Sequence, residues 1–200
     1  MIAVIDYDAG NIRSIQNALC RIGKSAFLTS DPDETEKADF ALLPGVGSFG
    51  HAMKELTARG LDRALKARFA ADRPTLGICL GLQLMFRASE ESPNAEGLGF
   101  FRGRAEKLKG DGLKVPNVGW TDINAKQPVF LPFDKDFFYF VHSYAVFETD
   151  ESVVAATSNY GGEFVCAVAK GRTAACQFHP EKSGERGLSL LKTLIEAVER

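Results

Sequence analysis

The stretch TLGICLGLQ, residues 75–83, indicates the fold of this 200-residue chain. Its first four residues form a short apolar run typical of a buried strand, and the residues from Leu80 to Phe86 favour a helix. Cys79 lies between them in the pattern G-x-C-x-G, the cysteine counterpart of the G-x-S-x-G turn that carries a nucleophile. The two glycines suit a tight strand-to-helix turn, because the chain folds back on itself only where bulky side chains are missing. The same glycines are also explained if the helix simply packs closely on a sheet.

Strands and helices alternate on both sides of this stretch. In the first half the predicted strands are residues 2–5, 26–28, 40–43 and 75–78, and the predicted helices begin near Asn11, Phe49, Leu61 and Leu80. In the second half strands are predicted near residues 138–141, 152–157, 164–169 and 173–176, before a C-terminal helix through Leu188 and Val198. We therefore expect a single α/β domain over residues 1–200. It should contain an open, mostly parallel twisted sheet with flanking helices and an antiparallel portion in its second half.

Composition excludes several classes of protein. The chain carries 24 Lys and Arg against 26 Asp and Glu, a formal net charge of −2, so nothing recommends a nucleic acid or an anionic membrane as a partner. The first apolar run ends at Asp6 without a preceding basic segment, and no run approaches the ~18 apolar residues of a membrane span. We expect a soluble, cytoplasmic globular protein.

Cysteine and histidine usage argues against disulfides and metals. The four cysteines, at positions 20, 79, 166 and 176, show no C-x-x-C spacing, and the three histidines, at 51, 142 and 179, show no paired spacing. We expect reduced thiols, no metal site, core packing for Cys166 and Cys176, and ordinary hydrogen-bond partners for His51 and His142. The basic group Arg102, Arg104, Lys107 and Lys109 is interpreted as a solvated face.

His179-Pro180-Glu181 follows the last predicted strand. A residue before proline is pushed toward extended geometry, where side chains two positions apart share a face. Glu181 is thus placed to bind and orient the imidazole of His179. An isolated His-Pro-Glu is commonly only a surface turn, but together with Cys79 it indicates a nucleophile, a base and an orienting carboxylate.

Acyl transfer also needs donors for the oxyanion of its tetrahedral intermediate. The N–H of Leu80 directly follows the candidate nucleophile, and the loop Pro44-Gly45-Val46-Gly47 follows a neighbouring predicted strand. Glycines on both sides of Val46 are expected to let its peptide switch orientation. Pro-Gly loops are also common after strands in proteins without such a function.

Together these motifs resemble the class I, triad-type glutamine amidotransferases. The residues that carry the resemblance are PGVG (44–47), GICLGLQ (77–83) and QFHPEKS (177–183). Asp6-Tyr7 with Gly10-Asn11, PNVGW (116–120) and YFVHSY (139–144) are similar to one family among them, the glutaminase subunits of imidazole glycerol phosphate synthase. The resemblance spans residues 2 to about 199.

The resemblance implies hydrolysis of L-glutamine to glutamate and ammonia without a cofactor. It implies that Cys79 is the nucleophile, His179 the base and then the acid, and Glu181 the orienting carboxylate. The residues implied to hold glutamine are Gly47, Gln83, Ser143 and Tyr144, with Val46 and Leu80 as donors to the oxyanion.

The resemblance also implies a partner protein. Members of the family form a heterodimer with a (β/α)8-barrel cyclase subunit, which receives ammonia through an internal passage. The residues implied to face it are Asn11, Trp120, Tyr139 and Lys182. Asp8 departs from the family pattern, because glycine usually stands at this position and the close backbone approach there is put in question.

Other functions remain open at this point. The chain could serve another synthase, for anthranilate or pyridoxal phosphate, although the PGVG loop and the segment FVHSY favour the first family. A cysteine peptidase or deglycase-like hydrolase on a similar sheet, or a regulatory module that kept the fold, are the alternatives from other classes.

Overall fold

The structure is a computed structural model that describes residues 1–8, 11–110 and 112–199. Gly10 of the N-terminal motif lies outside the described residues. The strands are β1 (Ile2–Ile5), β2 (Ala26–Thr29), β3 (Phe40–Leu43), β4 (Thr75–Ile78), β5 (Phe86–Ser89), β6 (Phe101–Lys107), β7 (Asn117–Asp122), β8 (Asn124–Ala125), β9 (Phe137–His142), β10 (Tyr144–Val146), β11 (Val154–Asn159), β12 (Glu163–Lys170) and β13 (Thr173–Cys176). The α-helices are α1 (Ile12–Arg21), α2 (Pro32–Lys37), α3 (Phe49–Ala58), α4 (Leu61–Ala70), α5 (Leu80–Met85) and α6 (Gly184–Glu199).

The larger sheet joins a parallel half to an antiparallel half. Strands β2, β1, β3, β4 and β13 are neighbours in that order and run parallel. Beyond β13 the order continues through β12, β10 and β6, whose pairings are antiparallel, to β5, which runs parallel to β6. The expectation of a mostly parallel sheet with an antiparallel portion is thus confirmed.

The pairing of β4 with β13 positions the candidate site. Ile78 lies opposite Cys176 in this parallel pair, and the amide of Cys79 donates to the carbonyl of Cys176 over 2.8 Å. Cys79 and His179 therefore follow the carboxyl ends of neighbouring strands. Ligands of open α/β sheets bind at this edge.

A second, two-stranded sheet pairs β7 antiparallel to β9. Asn117 lies opposite His142, and Trp120 lies opposite Tyr139. Its second strand, β9, ends at His142, directly before the predicted glutamine-binding segment at Ser143 and Tyr144.

The core lies on both faces of the larger sheet because successive side chains of a strand point to opposite sides. On β1, Val4 belongs to the cluster that includes α1 and α6, whereas Ile5 belongs to the cluster that includes α3 and α4. Each such side chain is fully buried, which stabilises the fold by about 1.5–3 kcal/mol per residue. In the part of the chain that the structure describes, no helix combines the length and apolarity required to cross a bilayer.

Some element boundaries differ from the predictions. The helix predicted to reach Phe86 ends at Met85, because the backbone of Phe86 is extended and opens β5. Helix α2 was not predicted since all six of its residues, PDETEK, are polar or Pro. Its start is nevertheless encoded: Asp31 accepts hydrogen bonds from the amides of Asp33 and Glu34 at 2.7 and 3.0 Å.

Candidate active site

Cys79 occupies a sharp turn between β4 and α5. Its backbone has φ 55° and ψ −108°, a conformation that costs a non-glycine residue about 1–3 kcal/mol. Gly81 lies against Leu43, so that a β-carbon at Gly81 would collide with the carbonyl oxygen of Leu43. A β-carbon at Gly77 would lie 3.0 Å from the carbonyl of Gly81. The turn that presents the sulfur therefore requires glycine at position 81, and Gly77 allows the close approach of the two segments.

His179 and Glu181 form a buried pair. The ring Nδ1 of His179 lies 2.8 Å from Oε1 of Glu181, and the two side chains are 1% and 0% exposed. His179 is extended, with φ −105° and ψ 92°, as its position before Pro180 predicts. Its Nε2 is buried and makes no hydrogen bond with a described residue. That nitrogen is the one left for proton transfer.

The charge state of His179 reflects its two neighbours. Burial lowers the pKa of His179, but the hydrogen bond to Glu181 and the charges of Cys79 and Glu181 raise it, and the balance is a pKa of about 9. The imidazole is therefore protonated at neutral pH. A protonated imidazole beside an ionised sulfur is the pair that a cysteine nucleophile requires.

Glu181 has a second donor that the sequence did not indicate. Nδ2 of Asn11 lies 2.6 Å from the same Oε1 that binds His179. Asn11 precedes α1 in a left-handed conformation, with φ 75°. A residue predicted to face a partner thus also contacts the carboxylate that orients His179.

The candidate residues surround one cavity of about 310 Å³. Its lining includes two of the three predicted catalytic residues and all of the residues predicted to form the oxyanion hole and to bind glutamine. These are Val46, Gly47, Cys79, Leu80, Gln83, Ser143, Tyr144 and His179. A volume of this size suits a small ligand.

The loop at residues 44–47 is held by packing at its first two residues but not at Gly47. Tyr7 is buried and its hydroxyl donates to the carbonyl of Pro44 over 2.7 Å. A β-carbon at Gly45 would lie 2.5 Å from that hydroxyl, so this glycine serves close packing. Gly47 has φ 103° and open space around it. The freedom expected on both sides of Val46 is therefore present only on the Gly47 side.

Gln83 is held by the protein as well as facing the cavity. Its Nε2 donates to the carbonyl of Tyr144 and to Oε1 of Gln177, each over 2.9 Å. Since both bonds use Nε2, the atom available for a ligand is Oε1. Gln177 in turn places its Nε2 3.6 Å from the sulfur of Cys79, a contact that sequence reasoning missed.

His142 supports the predicted glutamine-binding segment. Its Nδ1 lies 2.9 Å from the carbonyl of Tyr144, which can only accept, so Nδ1 carries the hydrogen and Nε2 accepts from Asn117 at 3.3 Å. Burial lowers the pKa of His142 to about 4 and keeps the ring neutral. These are the ordinary partners expected for this residue. His51, in contrast, is exposed.

Comparisons with known proteins agree with this geometry. The sequence model of the family "Glutamine amidotransferase class-I" matches residues 3–197. The HisH subunit of imidazole glycerol phosphate synthase from Syntrophotalea carbinolica is 46% identical over 201 residues, covering 96% of this chain and 98% of that protein. HisH 1 from Methanococcus maripaludis is 43% identical over 204 residues, covering 99% of this chain and all of that protein. The chain belongs to the class I glutamine amidotransferases.

Solved structures show the same fold for this amidotransferase. A crystal structure of a glutamine amidotransferase superposes with a TM-score of 0.77 at 19% identity, covering 97% of this chain and 99% of its own. The structure of PurLQS from Thermotoga maritima superposes with a TM-score of 0.76 at 18% identity, covering 98% of each chain. At these identities the likeness establishes the architecture alone.

Three of the amidotransferase's cysteines lie apart from the cavity. Cys166 and Cys176 are fully buried in β12 and β13, and burial raises the pKa of each thiol well above its usual value. Both are core residues, as predicted, whereas Cys20 is exposed. Among residues 1–8, 11–110 and 112–199, no group of His, Cys, Asp and Glu side chains is arranged to hold a metal ion.

Asp8 fits the turn at which the amidotransferase departs from its family's pattern. Its φ is 64°, so the aspartate adopts the left-handed conformation that glycine adopts readily and Asp tolerates better than most residues. Its carboxylate lies 2.5 Å from the guanidinium of Arg59. The side chain of Asp8 thus forms an ion pair with Arg59.

The small sheet of the amidotransferase exposes apolar side chains. We define the aromatic face as Val118, Trp120, Phe137 and Tyr139, which lie on one side of the small sheet, with Trp120 opposite Tyr139. Trp120 is 54% exposed and Phe137 is 59% exposed. The rings of Trp120 and Tyr139 pack edge to face, with their centroids 6.2 Å apart. Lys182, which is predicted to face a partner, is exposed. The basic residues Arg104 and Lys109 instead pair with Glu106 and Glu90 at 2.9 and 3.1 Å, which fits a solvated face.

Tyr139 joins this face to the triad. The amide of His179 donates to the carbonyl of Tyr139 over 2.9 Å, and the amide of Tyr139 donates to Oγ of Ser183 over 2.9 Å. Ser183 also donates to the carbonyl of His179 over 2.7 Å. The strand that carries the exposed ring is therefore bonded directly to the segment that carries His179.

Proposed function

We propose that this chain is the glutaminase subunit of an imidazole glycerol phosphate synthase, hydrolysing L-glutamine and passing ammonia to a cyclase subunit. The observation that carries the glutaminase proposal is the arrangement of Cys79 and His179 around one cavity, with His179 bound to Glu181. The full-length similarity to HisH subunits supports the choice of synthase.

The reaction begins with attack on the side-chain amide of glutamine. The sulfur of Cys79 adds to the amide carbon, and the negative charge moves to the amide oxygen. The N–H groups of Leu80 and Val46 stabilise this oxyanion. Gly47, Gln83, Ser143 and Tyr144, which surround the sulfur, hold the glutamine.

Proton transfer through Nε2 of His179 completes both half-reactions. The protonated ring gives its proton to the leaving nitrogen, so ammonia departs and a glutamyl thioester remains. The neutral ring then takes a proton from water, which attacks the thioester and releases glutamate. Glu181 holds the ring in place throughout and stabilises its charged form.

The glutaminase proposal is tested by Cys79→Ala. We expect glutamate release to be lost while ammonia-dependent synthesis by the complex is retained, because the variant lacks only the nucleophile. Cys166→Ala is the matched control, since that cysteine lies in the core outside the cavity. Loss of both activities in Cys79→Ala, with Cys166→Ala active, would assign Cys79 a structural role instead.

The partner proposal has a physical reason. Ammonia released into neutral water is mostly protonated and no longer nucleophilic, so the site needs a closed route to an acceptor. We propose that a (β/α)8-barrel cyclase subunit covers the aromatic face and contacts Asn11 and Lys182. The exposed apolar area supports this, because apolar patches rimmed by polar residues mark protein interfaces.

The partner proposal is tested by purification with a barrel cyclase. We expect Trp120→Ala to weaken association at least tenfold, as removal of a central aromatic anchor does. Leu131→Ala is the matched control: Leu131 is 57% exposed and apolar but lies outside β7 and β9. Equal losses in both variants, or none in either, contradict docking at the aromatic face. Strong glutamine turnover by the isolated chain would contradict the need for a partner.

A further inference from the structure

Gln177 lies behind the nucleophile and belongs to none of the roles assigned so far. Gln177 directly follows β13, and its side chain is fully buried. Its backbone N–H donates to the carbonyl of Cys166 over 2.8 Å. Its Oε1 accepts from Gln83 at 2.9 Å, and its Nε2 lies 3.6 Å from the sulfur of Cys79. The carboxamide therefore lies between a glutamine-binding residue and the nucleophile.

A backbone carbonyl determines which way this carboxamide faces. The carbonyl of Tyr144 can only accept, so Gln83 must turn Nε2 toward it. The same Nε2 also donates to Gln177, so the atom of Gln177 that accepts this bond is Oε1. The remaining end of the Gln177 carboxamide, Nε2, is left pointing at the sulfur. A flipped amide would break a buried hydrogen bond, so the N–H···S contact is built into the network.

An N–H donor acts differently on the two forms of the sulfur. A thiolate accepts the hydrogen bond and is stabilised by it, whereas a thiol gains little. The sulfur of Cys79 also lies 3.9 Å from an acceptor, the carbonyl of Val141, so Gln177 is the neighbour that favours the thiolate. The sulfur of Cys176 lies 3.6 Å from the carbonyl of Phe178, and burial raises the pKa of that thiol well above its usual value. Gln177 is neutral and adds no charge that would repel a substrate.

We propose that Gln177 is a positioning residue that holds the sulfur of Cys79 as a thiolate and directs it into the cavity. This inference deepens the proposed glutaminase function and rests on it for the role in turnover. The reactivity of the sulfur itself is measurable without glutamine.

The test measures alkylation of Cys79 by iodoacetamide in a Cys20→Ser background, which removes the exposed thiol. Gln177→Met keeps a side chain of similar length but has no donor, so the rate at pH 7 should fall about tenfold, the size of one hydrogen bond to a charged group. The rate against pH should reach its maximum at a higher pH. Gln177→Leu is the second variant and should show the same loss.

Ser158→Ala serves as the control for a lost buried hydrogen bond. Its Oγ donates to the carbonyl of Asp122 over 2.7 Å, outside the cavity, so the alkylation rate should stay within twofold of the parent. Thermal unfolding identifies which variants are folded. A folded Gln177→Met or Gln177→Leu protein that alkylates at the parent rate overturns the inference.

Turnover separates this inference from the proposed function. In the complex with the cyclase subunit, Gln177→Met should lower kcat about tenfold, because the donor acts on the nucleophile. If the parent protein in complex with the cyclase subunit hydrolyses no glutamine while Gln177→Met still slows alkylation, the proposed function fails and the role of Gln177 at the sulfur stands. A raised KM with unchanged kcat contradicts that role.

Discussion

Replacing Cys79 by serine should lower the pKa of His179. Burial lowers that pKa, and it reaches about 9 only because Cys79 and Glu181 outweigh the burial. Serine does not ionise, so the contribution of Cys79 is lost while that of Glu181 and the burial remain. We expect the pKa of His179 to fall by at least one pH unit, which corresponds to about 1.4 kcal/mol.

Proton NMR of the imidazole rings measures this change. Of the three histidines, His142 has a pKa of about 4 and stays neutral from pH 6 to 10. Only the signals of His51 and His179 then need assignment, and His51→Gln provides it. The reasoning is refuted if His179 titrates near the ordinary value of 6.5 in the parent chain, or if its titration is the same in Cys79→Ser.

The same shift predicts how stability depends on pH. A histidine with a folded-state pKa above its unfolded value contributes stability that is complete below about 6.5 and is lost as pH rises through about 9. The contribution is roughly 3.5 kcal/mol at most, because the pKa differs by about 2.5 pH units and each unit corresponds to about 1.4 kcal/mol. Urea unfolding should therefore show the free energy of unfolding falling between pH 7 and 9.5, and falling less in Cys79→Ser. Parallel curves for the two proteins would count against the ion pair.

Three further predictions concern stability and the turn. Arg68 is fully buried and donates to the carbonyls of residues 35, 36, 38 and 74, so Arg68→Met should reduce the free energy of unfolding by about 3–5 kcal/mol; a loss under 1 kcal/mol in urea unfolding would contradict this. Gly81→Ala should push the chain away from Leu43, destabilising the fold by about 1–3 kcal/mol and lowering glutamine turnover more than a hundredfold; normal turnover would show that the turn tolerates a β-carbon. Asp8→Ala should cost about 1 kcal/mol in thermal unfolding because alanine disfavours φ 64°, whereas Asp8→Gly should change stability by less than about 0.5 kcal/mol; equal effects would remove the backbone argument.

The parallel half of the fold was predictable because its signals are local. The apolar runs at residues 2–5, 40–43 and 75–78 each coincide with a buried strand, and each is followed by helical spacing. Buried parallel strands are continuous apolar runs, and no tertiary information is needed to identify them.

The antiparallel half was only partly predictable because its strands depend on tertiary pairing. Strand β6, FRGRAEK, is mostly charged and buries only Phe101 and Ala105, so its sequence is typical of a loop. Strand β7, NVGWTD, contains glycine and exposes Val118 and Trp120. Pairing with β10 and β9, respectively, gives these segments their extended form.

The candidate site shows the same division. Cys79 and the His179-Glu181 pair were indicated by short motifs whose geometry is set by neighbouring residues. The contact of Asn11 with Glu181 joins residues 170 positions apart, and the contact of Gln177 with Cys79 joins residues 98 apart. No local pattern indicates such contacts, because only the packed sheet brings the partners together.

At Tyr139, strand β9 separates the exposed aromatic face from the segment that carries His179 by a single residue. Its ring lies on the outer surface, while its peptide groups form hydrogen bonds with the buried segment 179–183, which carries the imidazole of His179. A densely packed interior does not absorb small displacements, so movement imposed on the ring is passed inward along these short bonds. A partner that binds the ring of Tyr139 is therefore connected, through the two peptide groups of this residue, to the segment that carries the imidazole of His179.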